Sequence, residues 1–326
     1  MNVNRLYSWL KYGFDEIKFI RSANDIKIFG QKLPFLFPRL GDNNYFNNAG
    51  VPPSLQLEPT NHCNLKCISC PNGRISREKG FLDYDLFKKI IAEASGIGVK
   101  RVHLYLHGEP LLHPLIVQMI RDIKSKGLGV NVVTNGMLLD KAKIEGILSS
   151  GVNSADYFTF SVLGATKLVH EKVMKGVDHE KVLKNINDFL NMRKKLRTNG
   201  PVIETIFYAM QGNDHEIEQF RDNWDGIVDH VRVVRKISRS FANFKLGGGS
   251  IPVRSKSCKH IWERMAIHWN GNIALCCEDV DGRHIFGNAA DKSIKEIWNC
   301  NGLMALKKMH KENRIGDIPM CSQCDQ

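Results

Sequence analysis

At 326 residues, 43% of them hydrophobic, the chain has room for one large domain plus a small one around a substantial core. Lys and Arg exceed Asp and Glu by 46 − 34 = 12, a basic balance that favours anionic partners such as phosphorylated sugars, nucleotides, acidic lipids or a peptide leader. No apolar run is long enough to span a bilayer and no secretory core opens the sequence, which excludes an integral membrane protein and leads us to expect a soluble, cytoplasmic one.

Residues 1–50 read as a separate N-terminal extension. Leu6, Trp9, Leu10, Phe14, Ile17 and Ile20 recur at helical spacing with Arg5, Lys11, Lys18 and Arg21 between them. Such an amphipathic basic helix suits peripheral contact with an anionic membrane surface, or packing on its own domain or a partner. The Asn-, Gly- and Pro-containing stretch Gly41 to Pro53 reads as a linker.

Residues 51–240 alternate strand and helix, the pattern of an α/β parallel sheet with helices outside. Strands are predicted over 54–60, 102–108, 129–134, 156–162, 202–210 and 230–236. Between them, a helix capped by Asp83 buries Phe87, Ile90, Ile91 and Ala94; a second opens near Pro114 and stops at Gly127. Ile144, Ile147 and Leu148 mark a third helix, Val182, Ile186, Phe189 and Leu190 a fourth, and Ile217, Phe220 and Trp224 a fifth. The linker 241–257 contains Gly247-Gly-Gly249, read as a flexible joint because no helix start follows to make a phosphate loop.

Residues 258–326 form a small α+β domain. A hairpin is expected from Met265–Trp269 and Ile273–Cys276 around Asn270-Gly271-Asn272. Ser293-Ile-Lys-Glu296 then opens a last helix as a capping box, with Ile294, Ile297, Trp298 and Leu306 on its apolar side and Cys300 within it as a buried free thiol.

The nine cysteines are odd in number and grouped at metal-like spacing, which argues for a reducing compartment. Three lie in the run Glu58-Pro-Thr-Asn-His-Cys-Asn-Leu-Lys-Cys-Ile-Ser-Cys-Pro71, just after the first predicted strand. Three thiolates this close leave too little backbone for mutual disulfides and are one short of a closed tetrahedral site, so one metal position stays open. The Cys-x3-Cys-x2-Cys spacing of Cys63, Cys67 and Cys70 resembles the signature of the radical S-adenosylmethionine (SAM) enzymes. Ser69 departs from it, since an aromatic residue often precedes the third cysteine there. A zinc knuckle with a distant fourth ligand is the plainer alternative.

The resemblance implies a partial (β/α)6 barrel, a 4Fe-4S cluster on Cys63, Cys67 and Cys70, and SAM chelated to the fourth iron and cleaved to a 5'-deoxyadenosyl radical. It implies SAM contacts at strand ends as well. His107-Gly108-Glu109-Pro110 is similar to the family's GGEP element, which binds the methionine amino group; Thr134 and Asn135 fall where ribose contacts lie, and Ser161 where a hydroxyl meets ribose or carboxylate. Each of these three also reads as a strand-ending turn or cap. Met210-Gln-Gly-Asn213 is a weaker adenine-wall candidate, and His103, His107 and His113 lack metal-ligand spacing.

Cys258, Cys276, Cys321 and Cys324 resemble the twitch form of the SPASM domain, which carries one auxiliary 4Fe-4S cluster; four-cysteine zinc is the alternative. Strand alternation turns the adjacent Cys277 away from Cys276, and spacing favours Cys276. Two clusters would bring the holo charge to roughly +9. The whole pattern resembles the twitch-domain dehydrogenases of aminocyclitol synthesis, which implies a radical SAM oxidoreductase that oxidises a small anionic or sugar-like substrate, passes an electron to the auxiliary cluster and is reduced by a flavodoxin or ferredoxin.

Peptide-modifying SPASM enzymes and enzymes of nucleotide- or lipid-linked sugars are rival outcomes. A non-catalytic metal- or cluster-bearing nucleic-acid binder is the rival outside enzymes, but Lys194-Lys195-Arg197 and Lys307-Lys308 read as solvated helix faces, so no nucleic-acid partner is expected. Candidate bases for the oxidation are His107, Tyr105, Glu204 and Arg235, none singled out.

Overall fold

The computed structural model describes residues 27–28, 31–32, 50–235, 257–322 and 324. The chain divides into two compact units, 1–47 and 48–326. In the first, β1 (Lys27–Ile28) pairs antiparallel with β2 (Gln31–Lys32). The amphipathic-helix residues 6–21, most of the expected linker before Pro53, and the glycine-containing linker up to residue 256 lie outside the described residues.

The second unit is built on one sheet. Its parallel strands are β3 (Ser54–Leu57), β5 (Arg101–Leu104), β6 (Gly129–Thr134), β7 (Tyr157–Ser161), β9 (Val202–Ala209) and β10 (His230–Arg235). These are the six strands expected from the sequence, and with the helices that follow them they form the α/β partial barrel. Beyond β3 the sheet continues into the C-terminal region: β11 (Arg264–Ile267) runs parallel to β3, and β12 (Asn272–Ala274) and β13 (Ile285–Asn288) follow antiparallel. The expected hairpin around Gly271 is therefore present, and its first strand extends the barrel sheet. A separate two-stranded ladder pairs β4 (Lys66–Cys67) with β8 (Met174–Lys175).

Helices cover the outer face because their apolar residues recur every three to four positions. Asp83 caps α1 (Tyr84–Ile97) by accepting from the amides of Asp85 and Leu86, and the helix buries Phe87, Ile90, Ile91 and Ala94. α2 (Ile116–Ser125) buries Ile116, Met119, Ile120 and Ile123; it starts two residues beyond Pro114 and gives way to Gly127 in the left-handed region. α3 (Lys141–Leu148), α4 (Lys167–Val173), α5 (His179–Leu196) and α6 (Ile217–Trp224) complete the layer. Phe158 and Phe160 on β7 meet Phe189 of α5. Each such side chain contributes about 1.5–3 kcal/mol by leaving water.

Beyond the short α7 (His260–Glu263), the C-terminal helices differ from expectation at one point. The Ser293–Glu296 capping box is formed, but α8 (Ile294–Trp298) stops after five residues and α9 (Asn301–Lys311) begins afresh. Asn299 breaks the run by turning its amide onto Lys295 O at 2.7 Å and Gly50 O at 2.8 Å. Cys300 is consequently the half-buried N-cap of α9, not a buried thiol inside a helix. Lys307 also departs from its solvated reading: it is buried, its ammonium 3.4 Å from the Trp298 ring centroid.

Candidate functional site: two cysteine sets joined through a buried ion cluster

The loop carrying Cys63, Cys67 and Cys70 leaves the carboxyl end of β3 and is held from three sides. From β5, the Glu109 amide donates to His62 O at 2.8 Å, and a Cβ on Gly108 would come within 2.1 Å of Thr60 O, so only glycine lets the two backbones approach. From β6, Asn135 Nδ2 donates to Asn64 Oδ1 at 2.9 Å. From the segment after α4, Ile68 N donates to Val173 O at 2.9 Å and β8 pairs with β4. Asn61, fully buried, ties the return of the loop by donating to Glu78 O and accepting from Gly80 N.

Glu109 is the bolt at the ends of β5 and β6. Its Oε1 accepts from Thr134 Oγ1 at 2.6 Å and Leu111 N at 3.0 Å, and Oε2 accepts from Asn135 N at 2.8 Å. Burial pushes its pKa up to about 7 despite these donors. Thr134 also accepts from Gly136 N, so its hydroxyl is spent within the turn. Pro110 is buried at the start of the short 3-10 turn Pro110–Leu112, and Ser161 closes β7 with a half-buried side chain. Asn213 is fully buried and bonded to Met210 N, Leu163 O and Tyr208 O, pinning the ends of β7 and β9 together. His103, His107 and His113 have separate partners: Asn131 for the first, Glu58 and Cys277 O for the second, Leu82 O for the third.

Among the described residues, no three Cys, His, Asp or Glu side chains converge closely enough to hold one metal ion. The thiols of the first set nonetheless share one electrostatic neighbourhood. Burial pushes Cys63 up to about 11 and Cys67 higher still, and neighbouring thiolates add to the cost of charging each. A cubane is larger than an ion, takes its ligands at separate corners, and its cationic irons supply the positive charge that clustered thiolates need. Cys63 Sγ also accepts from Leu65 N at 3.5 Å, a bond that stabilises a ligand sulfur. The donor set fits a cluster on these grounds.

The second set gathers from three separate places: Cys258, Cys276 and the Cys321–Cys324 turn. Cys276 feels the charge of Cys258 and packs with Cys321 in a small apolar cluster of Leu275, Ile315, Ile318 and Met320. Cys324 N donates to Cys321 O at 3.2 Å, closing the terminal Cys-x2-Cys turn. Cys276 Sγ accepts from Glu278 N at 3.4 Å. Cys277 lies within electrostatic reach of both Cys276 and Tyr105, and its Sγ is 3.9 Å from His260 Nδ1.

Between the two sets lies a buried cluster that sequence reasoning missed. Glu58, at the inward-facing end of β3, receives both arms of Arg77 at 2.8 and 2.9 Å, His107 Nδ1 at 3.2 Å and Trp269 N at 3.1 Å. Burial alone would push the Glu58 carboxyl up; the hydrogen bonds and charges of His107 and Arg77 outweigh it and hold it well below the usual carboxylate range. His107 Nε2 reaches Cys277 O at 3.0 Å and Arg77 Nε donates to Val280 O at 2.6 Å, so both residues grip the segment after Cys276. A strand-end position could have flagged Glu58; nothing in the spacing flags Arg77. Lys79, also unforeseen, donates to Asn61 O and Asn72 O and sets a positive charge near Cys63 and Cys70.

Of the base candidates, His107 is locked in this cluster. Glu204 is held by Arg232 Nη2 at 2.7 Å and Thr159 Oγ1 at 3.1 Å, and Tyr105 is half-buried, near Gln56, Tyr208 and Arg264. The Arg235 side chain lies outside the described residues.

A parallel barrel with a thiol triad at its first strand end and a thiol tetrad after its last defines a class of cluster-bearing enzyme. Residues 57–222 match the Radical SAM superfamily and residues 258–325 an iron-sulfur cluster-binding SPASM domain. The chain belongs to the radical SAM superfamily; it is an enzyme, and its cofactors are SAM and iron-sulfur clusters.

A tungsten-containing aldehyde ferredoxin oxidoreductase cofactor-modifying protein of Pyrococcus furiosus is 26% identical over 83% of this chain and 86% of its own length. The SAM-dependent 2-deoxy-scyllo-inosamine dehydrogenase of Niallia circulans is 23% identical over 83% and 92%. The PqqA peptide cyclase of Gluconobacter oxydans is 31% identical over 40% of this chain and 36% of its own. Among solved structures, BtrN in complex with AdoMet and 2-DOIA superposes with a TM-score of 0.59 at 18% identity, covering 85% of this chain and 94% of BtrN. Streptococcus suis SuiB bound to precursor peptide SuiA gives 0.66 at 16%, covering 86% and 72%. No helix among the described residues is long and apolar enough to cross a membrane.

Proposed function

We propose that the chain is a radical SAM oxidoreductase that oxidises a small anionic or sugar-like substrate in the reducing cytoplasm, reduced in turn by a flavodoxin or ferredoxin. Cys63, Cys67 and Cys70 hold the SAM-binding 4Fe-4S cluster; Gly108, Glu109, Pro110, Thr134, Asn135 and Ser161 build the SAM pocket around it; Cys258, Cys276, Cys321 and Cys324 hold one auxiliary 4Fe-4S cluster. When bound, these groups supply a 5'-deoxyadenosyl radical that removes hydrogen from an unactivated carbon and an acceptor for the second electron of a dehydrogenation.

The observation that carries this reading is the bridge between the two thiol sets. Glu58, Arg77 and His107 tie the end of β3 and β5 to the Cys276–Val280 segment through buried, bidentate and charge-assisted bonds. A fixed relation between the sets is what electron transfer out of the barrel requires. Similarity to the inosamine dehydrogenase over nearly its full length points the same way. Of the base candidates, Tyr105 and Glu204 are the lumen groups not locked into the Glu58 cluster, and either would serve to take a substrate hydroxyl's proton.

Anaerobically reconstituted protein given SAM and dithionite should release 5'-deoxyadenosine, and with a polyol offered free, as its phosphate ester and as its carboxylic acid should convert at least one of the three to the ketone, seen by mass spectrometry. Intact clusters without any 5'-deoxyadenosine would sink the reading. The peptide-cyclase similarity favours a second one, a peptide-modifying enzyme, for which the product would be a crosslinked or oxidised precursor peptide.

A further inference from the structure

The charges facing the barrel lumen do not balance. Strand alternation turns Arg101 and His103 of β5, Glu204 and Tyr208 of β9, Arg232 of β10 and Arg264 of β11 to one face, with Tyr105 just past the end of β5, on the face opposite Phe158, Phe207 and the helix-packed core. They form one neighbourhood: Tyr105 lies within electrostatic reach of Arg264 and Tyr208, and Arg232 within reach of both tyrosines and Glu204. Burial drops His103 to about 3, so it is neutral. Among the described residues on this face, Arg101 is spent on the carbonyls of Val130 and Ala155, and Glu58 is matched by Arg77, which leaves the two guanidinium groups of Arg232 and Arg264 against the one carboxylate of Glu204.

Arg264 is half-buried and makes no ion pair among the described residues. Arg232 gives one arm to Glu204 and leaves its side chain 44% exposed, with its remaining N–H donors unspent. Excess positive charge gathered on one half-exposed face raises the local potential and draws an anion to it. The phenol of Tyr105, within electrostatic reach of both arginines, adds a neutral donor.

Building on the oxidoreductase reading, we propose that Arg232 and Arg264, with Tyr105 within reach of both, bind a carboxylate or phosphate group of the substrate. Glu204 orients Arg232 for that contact. The substrate class is thereby narrowed to small molecules carrying an anionic group, with neutral polyols excluded.

The test titrates the reconstituted full-length protein with glucose 6-phosphate, succinate and glucose by calorimetry. Binding of either anion, weakening with added salt, with glucose silent, supports the proposal; tighter binding of the ester names phosphate and of the diacid names carboxylate. Arg232→Met should weaken anion binding about tenfold or more, Arg232→Lys less. Glu204→Gln should tighten it, because a negative charge is removed from beside the same guanidinium. Arg264→Met, away from the ion pair, should also weaken binding and carries the test if Arg232→Met fails to fold. Glucose binding as well as its phosphate, or Arg232→Met and Arg264→Met both leaving anion affinity unchanged, overturns the site. So does equal weakening by Arg232→Met and Glu204→Gln, which would make the pair purely structural. Release of 5'-deoxyadenosine from SAM and dithionite with neither glucose 6-phosphate nor succinate added reads the radical SAM function separately; its absence would overturn that function and leave anion binding standing.

Discussion

The two cysteine sets solve the same problem in opposite ways. The first comes from a single short loop whose three thiols lie within eight residues, and the fold's task is to hang that loop on the strand ends through Gly108, Asn64, Asn135 and Asn61. The second draws on Cys258, Cys276 and the Cys321–Cys324 turn, separated by a hairpin and two helices, so its ligands meet only when the small cluster around Leu275 and Ile318 has closed. Local ligands need bracing; distant ligands need folding. The first centre should therefore fail by displacement and the second by disassembly.

The largest effect that sharpens this contrast is expected from Cys63→Ala, Cys67→Ala or Cys70→Ala. Iron should fall from about eight to about four per chain and 5'-deoxyadenosine release should vanish while the C-terminal region stays folded. Cys321→Ala and Cys324→Ala come next: iron again drops to about four, but some SAM cleavage persists and substrate oxidation is lost. Equal loss of SAM cleavage in both groups would collapse the distinction and make the tail a brace for the barrel.

Gly108→Ala tests bracing without touching a ligand. With Thr60 O only 2.1 Å from the added carbon, the loop must shift, and we expect about 2–4 kcal/mol lower stability by denaturant unfolding. Its iron loss should be confined to the first centre; loss from both would mean that the loop is not independently hung.

The smallest effect concerns Glu109, whose folded pKa of about 7 lies above its ordinary value of 4.5 because of burial. A carboxyl raised on folding contributes stability that is present below pH 4.5 and is lost as pH rises through about 7. Melting temperature should thus decline between pH 5 and 7 by the equivalent of about 2 kcal/mol. Glu109→Gln should lower the whole curve, since the amide of Asn135 loses its acceptor, and flatten it across that window; a parallel slope would assign the titration elsewhere.

Much of this was legible from residue order because its causes are local. Period-two and period-three-to-four apolar patterns placed all six barrel strands and the helices between them except α4, and the Cys-x3-Cys-x2-Cys spacing singled out the first cysteine set before any fold was known. Capping chemistry was equally readable at Asp83 and at the Ser293–Glu296 box. Where a side chain could satisfy itself in two ways, order alone did not choose: Asn299 turned back on its own helix and split it, exposing Cys300 at a cap, and Lys307 took a tryptophan face in place of water.

What tertiary structure alone decided are the contacts between residues far apart in the chain. Arg77 has no spacing signature, yet it neutralises Glu58 and grips Val280 because the sheet brings β3 beside β11. The same juxtaposition leaves two arginines facing one carboxylate in the lumen. Periodicity records which face of an element is apolar, whereas charge compensation depends on which elements end up as neighbours, and that is settled only when the chain closes.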